Sequence, residues 1–254
     1  MELEAIGHAE TPYLTKFGVP RQPQLADKVR GQLTVGNVGE EPRIPDGVFS
    51  GGFVWVLWGF SRNAGAADAR FSPTVRPPRL GGNARVGVFA TRSSFRPNSL
   101  ALSALQVAGR PQRTDGCWRL PVAGPDMVCG SPLYGLWPYR PATDALRDAR
   151  AGWVQGTAWE ALQVAPVPAG LLELCEPGMR EGLLQVLSLD PRPAYTRNTQ
   201  EGREFWLPFA NVIVWFQVSG SELRVTRMRR LSAAERFELL ESGTLRQLRA
   251  PAAR

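Results

Sequence analysis

Two short arginine-rich stretches contain the residues best suited to binding a ligand. In residues 77–85, prolines precede a Gly-Gly-Asn turn, and residues 90–99 carry two arginines directly after a predicted strand. Glycine lets backbone amides approach a ligand closely, and arginine presents a planar fork that suits carboxylate or phosphate. The spacing therefore predicts an anion-binding site. It equally fits a pair of ordinary loops with solvated arginines.

The positive charge of the protein is concentrated around these two stretches. The chain has 254 residues, with 30 Lys+Arg against 23 Asp+Glu, a net charge of +7. Residues 62–113 hold nine arginines and a single acid, Asp68. A coding bias explains why Lys16 and Lys28 are the only lysines, but it does not explain why acids are missing from one region. We therefore expect an anionic partner, above all a nucleic acid.

Several common catalytic chemistries are excluded by residue counts. The only histidine is His8, which excludes a histidine-cluster metal site and disfavours a Ser-His-Asp triad, so we interpret it as a surface or strand-edge residue. The three cysteines are far apart and form neither a disulfide framework nor a metal knuckle. There is no P-loop, and the glycine spacing in residues 35–39 does not fit a Rossmann dinucleotide loop.

Composition is that of an ordinary globular protein. Hydrophobic residues make up 43% of the chain and charged residues 21%. The longest apolar run, residues 53–60, is too short to cross a membrane, and no signal pattern precedes it. We expect a soluble, cytoplasmic protein with no membrane partner.

The first half of the chain has the pattern of short strands. Strands are predicted over residues 53–60, 86–91, 102–107 and 118–122, separated by Gly, Pro and Asn turns. Trp55 and Trp58 lie in the first of these strands and are expected in the core. No helix of normal length is predicted before residue 142. This pattern favours an antiparallel sheet or barrel over a βαβ repeat.

The second half is mixed. The predicted elements are a short helix at 142–149, an ambiguous segment at 153–164, a helical pattern at 169–187 interrupted at Pro177-Gly178, an extended segment at 190–195, a hairpin of 205–218 with 223–228, and a terminal helix. Ser232 and Glu235 form a capping-box pattern at the start of that helix. We predict a β-rich domain over residues 1–150 and a smaller α/β domain over residues 151–254.

Four stretches together resemble a known family. They are residues 16–23 (KFGVPRQP), 74–93 (TVRPPRLGGNARVGVFATRS), 95–98 (FRPN) and 190–195 (DPRPAY). They strongly resemble the TsaA/TrmO-like family. The resemblance implies an S-adenosylmethionine-dependent tRNA methyltransferase that acts on N6 of threonylcarbamoylated adenosine (t6A) at position 37, beside the anticodon. It also implies a mainly β fold: a small, non-Rossmann β-barrel that binds the cofactor, with a smaller α/β C-terminal domain, in a homodimer.

The resemblance also implies which residues form the site. By position, the cofactor contacts would be Pro20, Arg21, Gln22, Ser61, Arg62, Arg92, Leu102, Asp126, Met127, Val128 and Cys129. Four residues would serve the reaction or the anticodon loop: Asp126, Asp190, Arg192 and Tyr195. N6 of t6A is a poorly nucleophilic urea-type nitrogen, so loss of its proton should assist transfer, with Asp126 or Asp190 as the acceptor. No metal is implied.

The sequence departs from the family pattern at three places. Phe60-Ser61-Arg62 replaces a Phe-His pair, Cys129-Gly130-Ser131-Pro132 replaces Asp-Gly-Thr-Pro, and residues 135–139 replace Asp-Ile-Lys-Pro-Tyr. These changes remove charged or ring groups that could contact the cofactor. Two alternatives therefore stand beside the t6A methyltransferase: a methyltransferase of the same fold with a different substrate, and a non-catalytic RNA-binding relative.

Overall fold

The computed structural model describes residues 2–36, 52–61, 71–77, 80, 84–146, 148–150, 152–156, 161–193 and 202–243. Within these ranges the strands are β1 (Gly7–Glu10), β2 (Arg30–Val35), β3 (Phe53–Gly59), β4 (Thr74–Val75), β5 (Val86–Gly87), β6 (Leu100–Val107), β7 (Gln112–Thr114), β8 (Cys117–Ala123), β9 (Pro132–Pro138), β10 (Gln163–Val164), β11 (Phe205–Phe209), β12 (Val212–Ser219) and β13 (Glu222–Arg230). The α-helices are α1 (Pro141–Asp144), α2 (Ala169–Leu172), α3 (Arg180–Ser188) and α4 (Ala233–Ser242).

The first sheet closes on itself. Its strands follow the order β2-β1-β9-β3-β6-β8, and β2 also pairs with β8, so the first and last strands of this order meet. All of these pairings are antiparallel, and β7 adds to the outer side of β8. The prediction of a mainly β fold with a small barrel is confirmed.

Side-chain alternation fills the inside of this barrel. In β3, Val54, Val56 and Trp58 are buried, whereas Trp55 and Leu57 point to the outer face. The strand therefore has the period of two that a half-buried strand requires. The interior is packed with apolar side chains from all six strands: Ala9, Leu33, Val35, Val54, Val56, Trp58, Leu105, Val107, Leu120, Val122 and Leu133. A barrel of this size has room for side chains rather than for a channel.

A second core lies around the sheet β10-β13-β12-β11. Helix α3 packs Leu183, Val186 and Leu187 into it. Three residues from the connection between β1 and β2, Tyr13, Ala26 and Val29, are also fully buried in this core. The segment between β1 and β2 therefore joins the barrel to the second sheet, and the division of the chain at residue 150 stays a prediction.

Two of the predicted strands are wrong. Residues 86–91 form only the two-residue strand β5, after which residues 88–90 turn into a 3₁₀ helix that points Phe89 into solvent. Residues 205–218 are not one strand but β11 and β12, joined by a turn in which Ala210 has a φ of +50°. That turn has no glycine or proline to mark it in the sequence. With β13 the segment forms a three-stranded meander rather than a hairpin.

The helical predictions are confirmed only in part. The helix predicted at 142–149 is the single turn α1 (Pro141–Asp144). The interrupted pattern at 169–187 forms α2, a 3₁₀ turn over Pro177–Met179, and α3. Helix α4 begins with a complete capping box, in which Ser232 accepts from the Glu235 amide and Glu235 accepts from the Ser232 amide. Among the described residues, no helix is long and apolar enough to span a membrane.

Candidate functional site

Strand register brings Asp126 next to Ser103 at one end of the barrel. Strands β6 and β8 pair Gln106 with Ala123, and the chain then leaves β8 at Gly124, whose φ is +66°. Ser103 precedes Gln106 by three residues and Asp126 follows Ala123 by three, so this pairing brings the two residues to the same end of the barrel. The Ser103 hydroxyl donates to Asp126 Oδ1 at 2.7 Å.

A third side chain completes this arrangement. Trp58 Nε1 donates to Ser103 Oγ at 2.9 Å, so an indole, a hydroxyl and a carboxylate form a continuous hydrogen-bonded chain. Trp58 is 4% exposed and Ser103 1% exposed, so both lie inside the barrel, whereas Asp126 is only partly buried at its end. We call these three residues the Asp126 relay.

The electrostatics of the relay favour a carboxyl group that can exchange a proton. Burial raises the pKa of Asp126 to about 6, although the Ser103 hydrogen bond, the residue's own backbone amide and the nearby Arg92 guanidinium all act to lower it. Such a pKa suits a general base near neutral pH. Tyr13 is near enough to interact electrostatically with Asp126. Burial, and to a lesser extent the charge of Asp126, raise the pKa of Tyr13 well above its ordinary value. The Tyr13 hydroxyl is buried and has no hydrogen-bond partner among the described residues.

The arginine-rich loop reaches the same place through Gln22. Arg92 Nη1 donates to Gln22 Oε1 at 2.6 Å. The Gln22 loop is held against the turn before Asp126, because Gln24 donates from its backbone amide to Gly124 and from its side chain to the Ala123 carbonyl. A Cβ at Gly124 would lie 2.9 Å from Gln24, so this close approach requires glycine there. Gln22, Arg92 and Asp126 therefore lie near one another.

The second loop arginine has a different role. Arg96 donates from Nε to the Ser93 carbonyl at 3.0 Å and from Nη2 to the Thr91 carbonyl. These bonds close its own loop. Arg96 thus shapes the segment that carries Arg92.

Residues 127–129 contribute to the site through their backbone, which fixes the turn that follows Asp126. Met127 is fully buried in the barrel core, and Val128 is 8% exposed. Their backbone is tied to the connection after β1: the Thr11 hydroxyl donates to the Met127 carbonyl, and the Cys129 amide donates to the Tyr13 carbonyl. A ligand at Asp126 would therefore meet a fixed turn.

The remaining predicted cofactor contacts fall at several positions. Leu102 directly precedes Ser103 on β6 but points outward, where it forms a shallow apolar hollow with Trp55, Leu57 and Trp137. Ser61 is exposed just beyond the end of β3. Pro20 is buried and Arg21 exposed in the Gln22 loop. The alternation of β6 separates Leu102 from the Asp126 relay.

The proposed C-terminal residues form a pair of their own. Arg192 donates from Nε and Nη2 to the two carboxylate oxygens of Asp190, at 2.8 and 3.0 Å. Asp190 is 7% exposed and Arg192 6%, so this ion pair is buried. Arg62 and Tyr195 lie outside the described residues.

Two residues of the relay were missed by the sequence reasoning. Ser103 was unremarked inside a predicted strand, and Trp58 was expected only as core. The available signal was a polar residue at an inward position of an otherwise apolar strand, since a buried hydroxyl requires a partner.

Comparison with known proteins places this site in a family. The family model described as "tRNA-methyltransferase O N-terminal domain" matches residues 8–145, and that described as "TrmO C-terminal domain" matches residues 167–231. A tRNA (adenine(37)-N6)-methyltransferase of Escherichia coli K12 is 36% identical over 218 residues, which cover 83% of this chain and 91% of the relative. A Pseudomonas aeruginosa PAO1 protein, provisionally named an S-adenosylmethionine-dependent methyltransferase, is 33% identical over 214 residues, 79% of this chain and 85% of the relative.

Solved structures agree. A crystal structure of TrmO from Pseudomonas aeruginosa superposes with a TM-score of 0.67 and 26% identity, covering 91% of this chain and 97% of that one. Both family models together match more than half of the chain, and the fold and the sequence point to the same relatives. The chain therefore belongs to the TrmO family of tRNA (adenine-N6) methyltransferases.

Proposed function

We propose that this protein transfers a methyl group from S-adenosylmethionine to N6 of t6A at position 37 of tRNA, forming m6t6A. The observation that carries the proposal is the convergence of Arg92, Gln22 and Asp126 at one end of the barrel. A cation, an amide and a carboxyl group that can take up a proton are the groups that such a transfer needs. The name of the Escherichia coli relative, which specifies adenine 37 and N6, supports the same reaction.

The residues present fit the cofactor. Arg92 uses one N–H for Gln22, and among the described residues the rest of its guanidinium fork remains available for the methionine carboxylate. The partnerless Tyr13 hydroxyl beside Asp126 offers a further polar contact. When bound, S-adenosylmethionine supplies an electrophilic methyl group. Arg92 and Gln22 would hold it, with Pro20 and Arg21 of the same loop beside them.

We assign to Asp126 the role of accepting the proton that N6 loses. Methylation at N6 requires this nitrogen to lose its hydrogen, and a carboxylate with a pKa of about 6 is ionised at neutral pH and can accept it. Asp190, the other candidate, has both oxygens bonded to Arg192 in a buried pair. We therefore assign Asp190 and Arg192 to the structure of the C-terminal domain near the anticodon loop.

The tRNA would be contacted by the arginine-rich segment. Phe89 is 78% exposed and Phe95 56% exposed, and they alternate with the exposed Arg85 and Arg92. Aromatic rings interleaved with arginines suit unpaired bases, which the anticodon loop offers. We further propose that Tyr195 contacts the same loop, that the protein acts as a homodimer, and that it works in the cytoplasm, where tRNA is modified.

Nucleoside analysis of a deletion strain tests the substrate. Mass spectrometry of its tRNA should show loss of m6t6A and accumulation of t6A, both restored by the wild-type gene. Complementation with the Arg92→Ala variant should fail, because the carboxylate of the cofactor would lose its fork. If m6t6A persists in the deletion strain, the protein is instead a methyltransferase of the same fold with a different substrate. If calorimetry detects no S-adenosylmethionine binding, only the RNA-binding alternative survives.

A further inference from the structure

The Asp126 relay has a fixed direction. An indole N–H can only donate, so Ser103 Oγ must be the acceptor from Trp58 Nε1. A hydroxyl has one proton. Because a lone pair of Ser103 Oγ accepts from Trp58, this proton is free to be donated to Asp126 Oδ1. The serine is therefore a committed donor to the carboxylate.

The relay is also held rigidly. Trp58 and Ser103 lie on the paired strands β3 and β6, two residues apart in register, because Val56 is the direct partner of Ser103. The Trp58 ring packs edge-on against Phe60 with centroids 4.6 Å apart. With both side chains nearly inaccessible to solvent, water does not compete for the Ser103 hydroxyl.

We propose that Ser103 and Trp58 are positioning residues for Asp126: the Ser103 hydroxyl, aimed by Trp58, holds one oxygen of the carboxylate and favours the ionised form that accepts the proton. This inference rests on the proposed function of Asp126 as proton acceptor. Neither residue needs to touch the cofactor or the tRNA. The effect of Trp58 passes entirely through the Ser103 hydroxyl, which it polarises and aims.

Other groups act on Asp126 from neighbouring elements and remain in place in the variants below. Arg92, from the loop after the 3₁₀ helix, lowers the pKa of Asp126, and Tyr13, from the connection after β1, faces the same carboxyl. Neither Arg92 nor Tyr13 bonds to Ser103 or Trp58, so removing the relay changes only the contribution of the Ser103 hydrogen bond to the pKa of Asp126. The pKa of Asp126 is expected to increase, because this hydrogen bond favours the ionised carboxylate.

The test is the titration of the Asp126 carboxyl carbon by ¹³C NMR, assigned with Asp126→Asn. Ser103→Ala should raise the pKa of Asp126 by about one unit, the usual size for one hydrogen bond to a charged group. Trp58→Phe, which removes only the indole donor, should raise it by less. Trp55→Phe is the matched control. Trp55 lies on the outer face of the same strand, β3, and its Nε1 donates to Asp144 of α1, so the pKa of Asp126 should not change in this variant.

Methylation rates should follow the titration. With the pKa of Asp126 moved from about 6 to about 7, Ser103→Ala should be roughly threefold slower than wild type at pH 6.5 and equal to it at pH 8.5. A merely structural role would not give recovery at high pH. An unchanged pKa of Asp126 in both Ser103→Ala and Trp58→Phe overturns the positioning role. Full activity of Asp126→Asn overturns instead the proposed function of Asp126, whatever the titration shows.

Discussion

Replacing Asp126 with asparagine should make the protein more stable at neutral pH and inactive. Burial raises the pKa of this carboxyl from its ordinary 3.8 to about 6, a difference of about 2 units. At 1.36 kcal/mol per unit, the ionised form is disfavoured in the folded protein by about 3 kcal/mol. Asparagine has the same shape, carries no charge, and keeps an oxygen that can accept from Ser103.

The pH dependence has a definite sign. A carboxyl whose pKa is raised on folding contributes stability that is fully present below about pH 4 and is lost as the pH rises through about 6. The difference in unfolding free energy between Asp126→Asn and wild type should therefore be small at pH 4 and reach up to about 3 kcal/mol in favour of the variant above pH 7.

Urea unfolding at pH 4, 5.5 and 7.5 measures this difference. Asp144→Asn is a control of opposite sign, because hydrogen bonds from the Arg140 amide and from Trp55 lower the pKa of Asp144. A difference between Asp126→Asn and wild type that does not vary with pH would refute the reasoning, as would a variant that is less stable at pH 7.5.

Three further predictions concern single contacts. Arg92→Lys keeps the charge but loses the fork, so calorimetry should show S-adenosylmethionine affinity reduced about tenfold, and unchanged affinity would remove Arg92 from the site. Asp190→Asn leaves the buried Arg192 without its counter-charge and should lower the free energy of unfolding by about 3–5 kcal/mol in urea titrations, a loss that a surface pair would not show. Ser232→Ala removes the cap of α4 and should cost about 1 kcal/mol, whereas Ser242→Ala in the last turn should cost much less; equal losses would contradict the capping role.

Local patterns predicted the elements that local physics determines. The apolar run at 53–60 became β3, and the Ser232–Glu235 spacing became a capped helix, since both signals lie within a few residues. The strand predicted at residues 86–91 was wrong because the apolar residues 88–90 form a 3₁₀ turn, and that at 205–218 was wrong because the Ala210 turn has no glycine. The meeting of Gln22 with Arg92 was predicted only through the family resemblance, since 70 residues separate them.

The closure of the barrel and the Asp126 relay could not be predicted in this way. Strands β1 and β2 close the sheet through β8, which depends on pairings between distant residues rather than on their own composition. The contact of Ser103 with Asp126 depends on the register between β6 and β8, and a change of one residue would turn Ser103 to the outer face, where Leu102 points. The family resemblance identified Asp126 but not Ser103 and Trp58, which influence the protonation of its carboxyl group.

The proposed reaction is methyl transfer to N6 of t6A with Asp126 as proton acceptor. The most direct measurement is transfer of labelled methyl from S-adenosylmethionine by the purified protein to two tRNA transcripts, one carrying t6A at position 37 and one unmodified adenosine, followed by nucleoside mass spectrometry across pH 5 to 9. We predict m6t6A from the first tRNA only, with a rate that rises through about pH 6 and is lost in Asp126→Asn. Transfer to the unmodified tRNA alone, or full activity of Asp126→Asn, would contradict it.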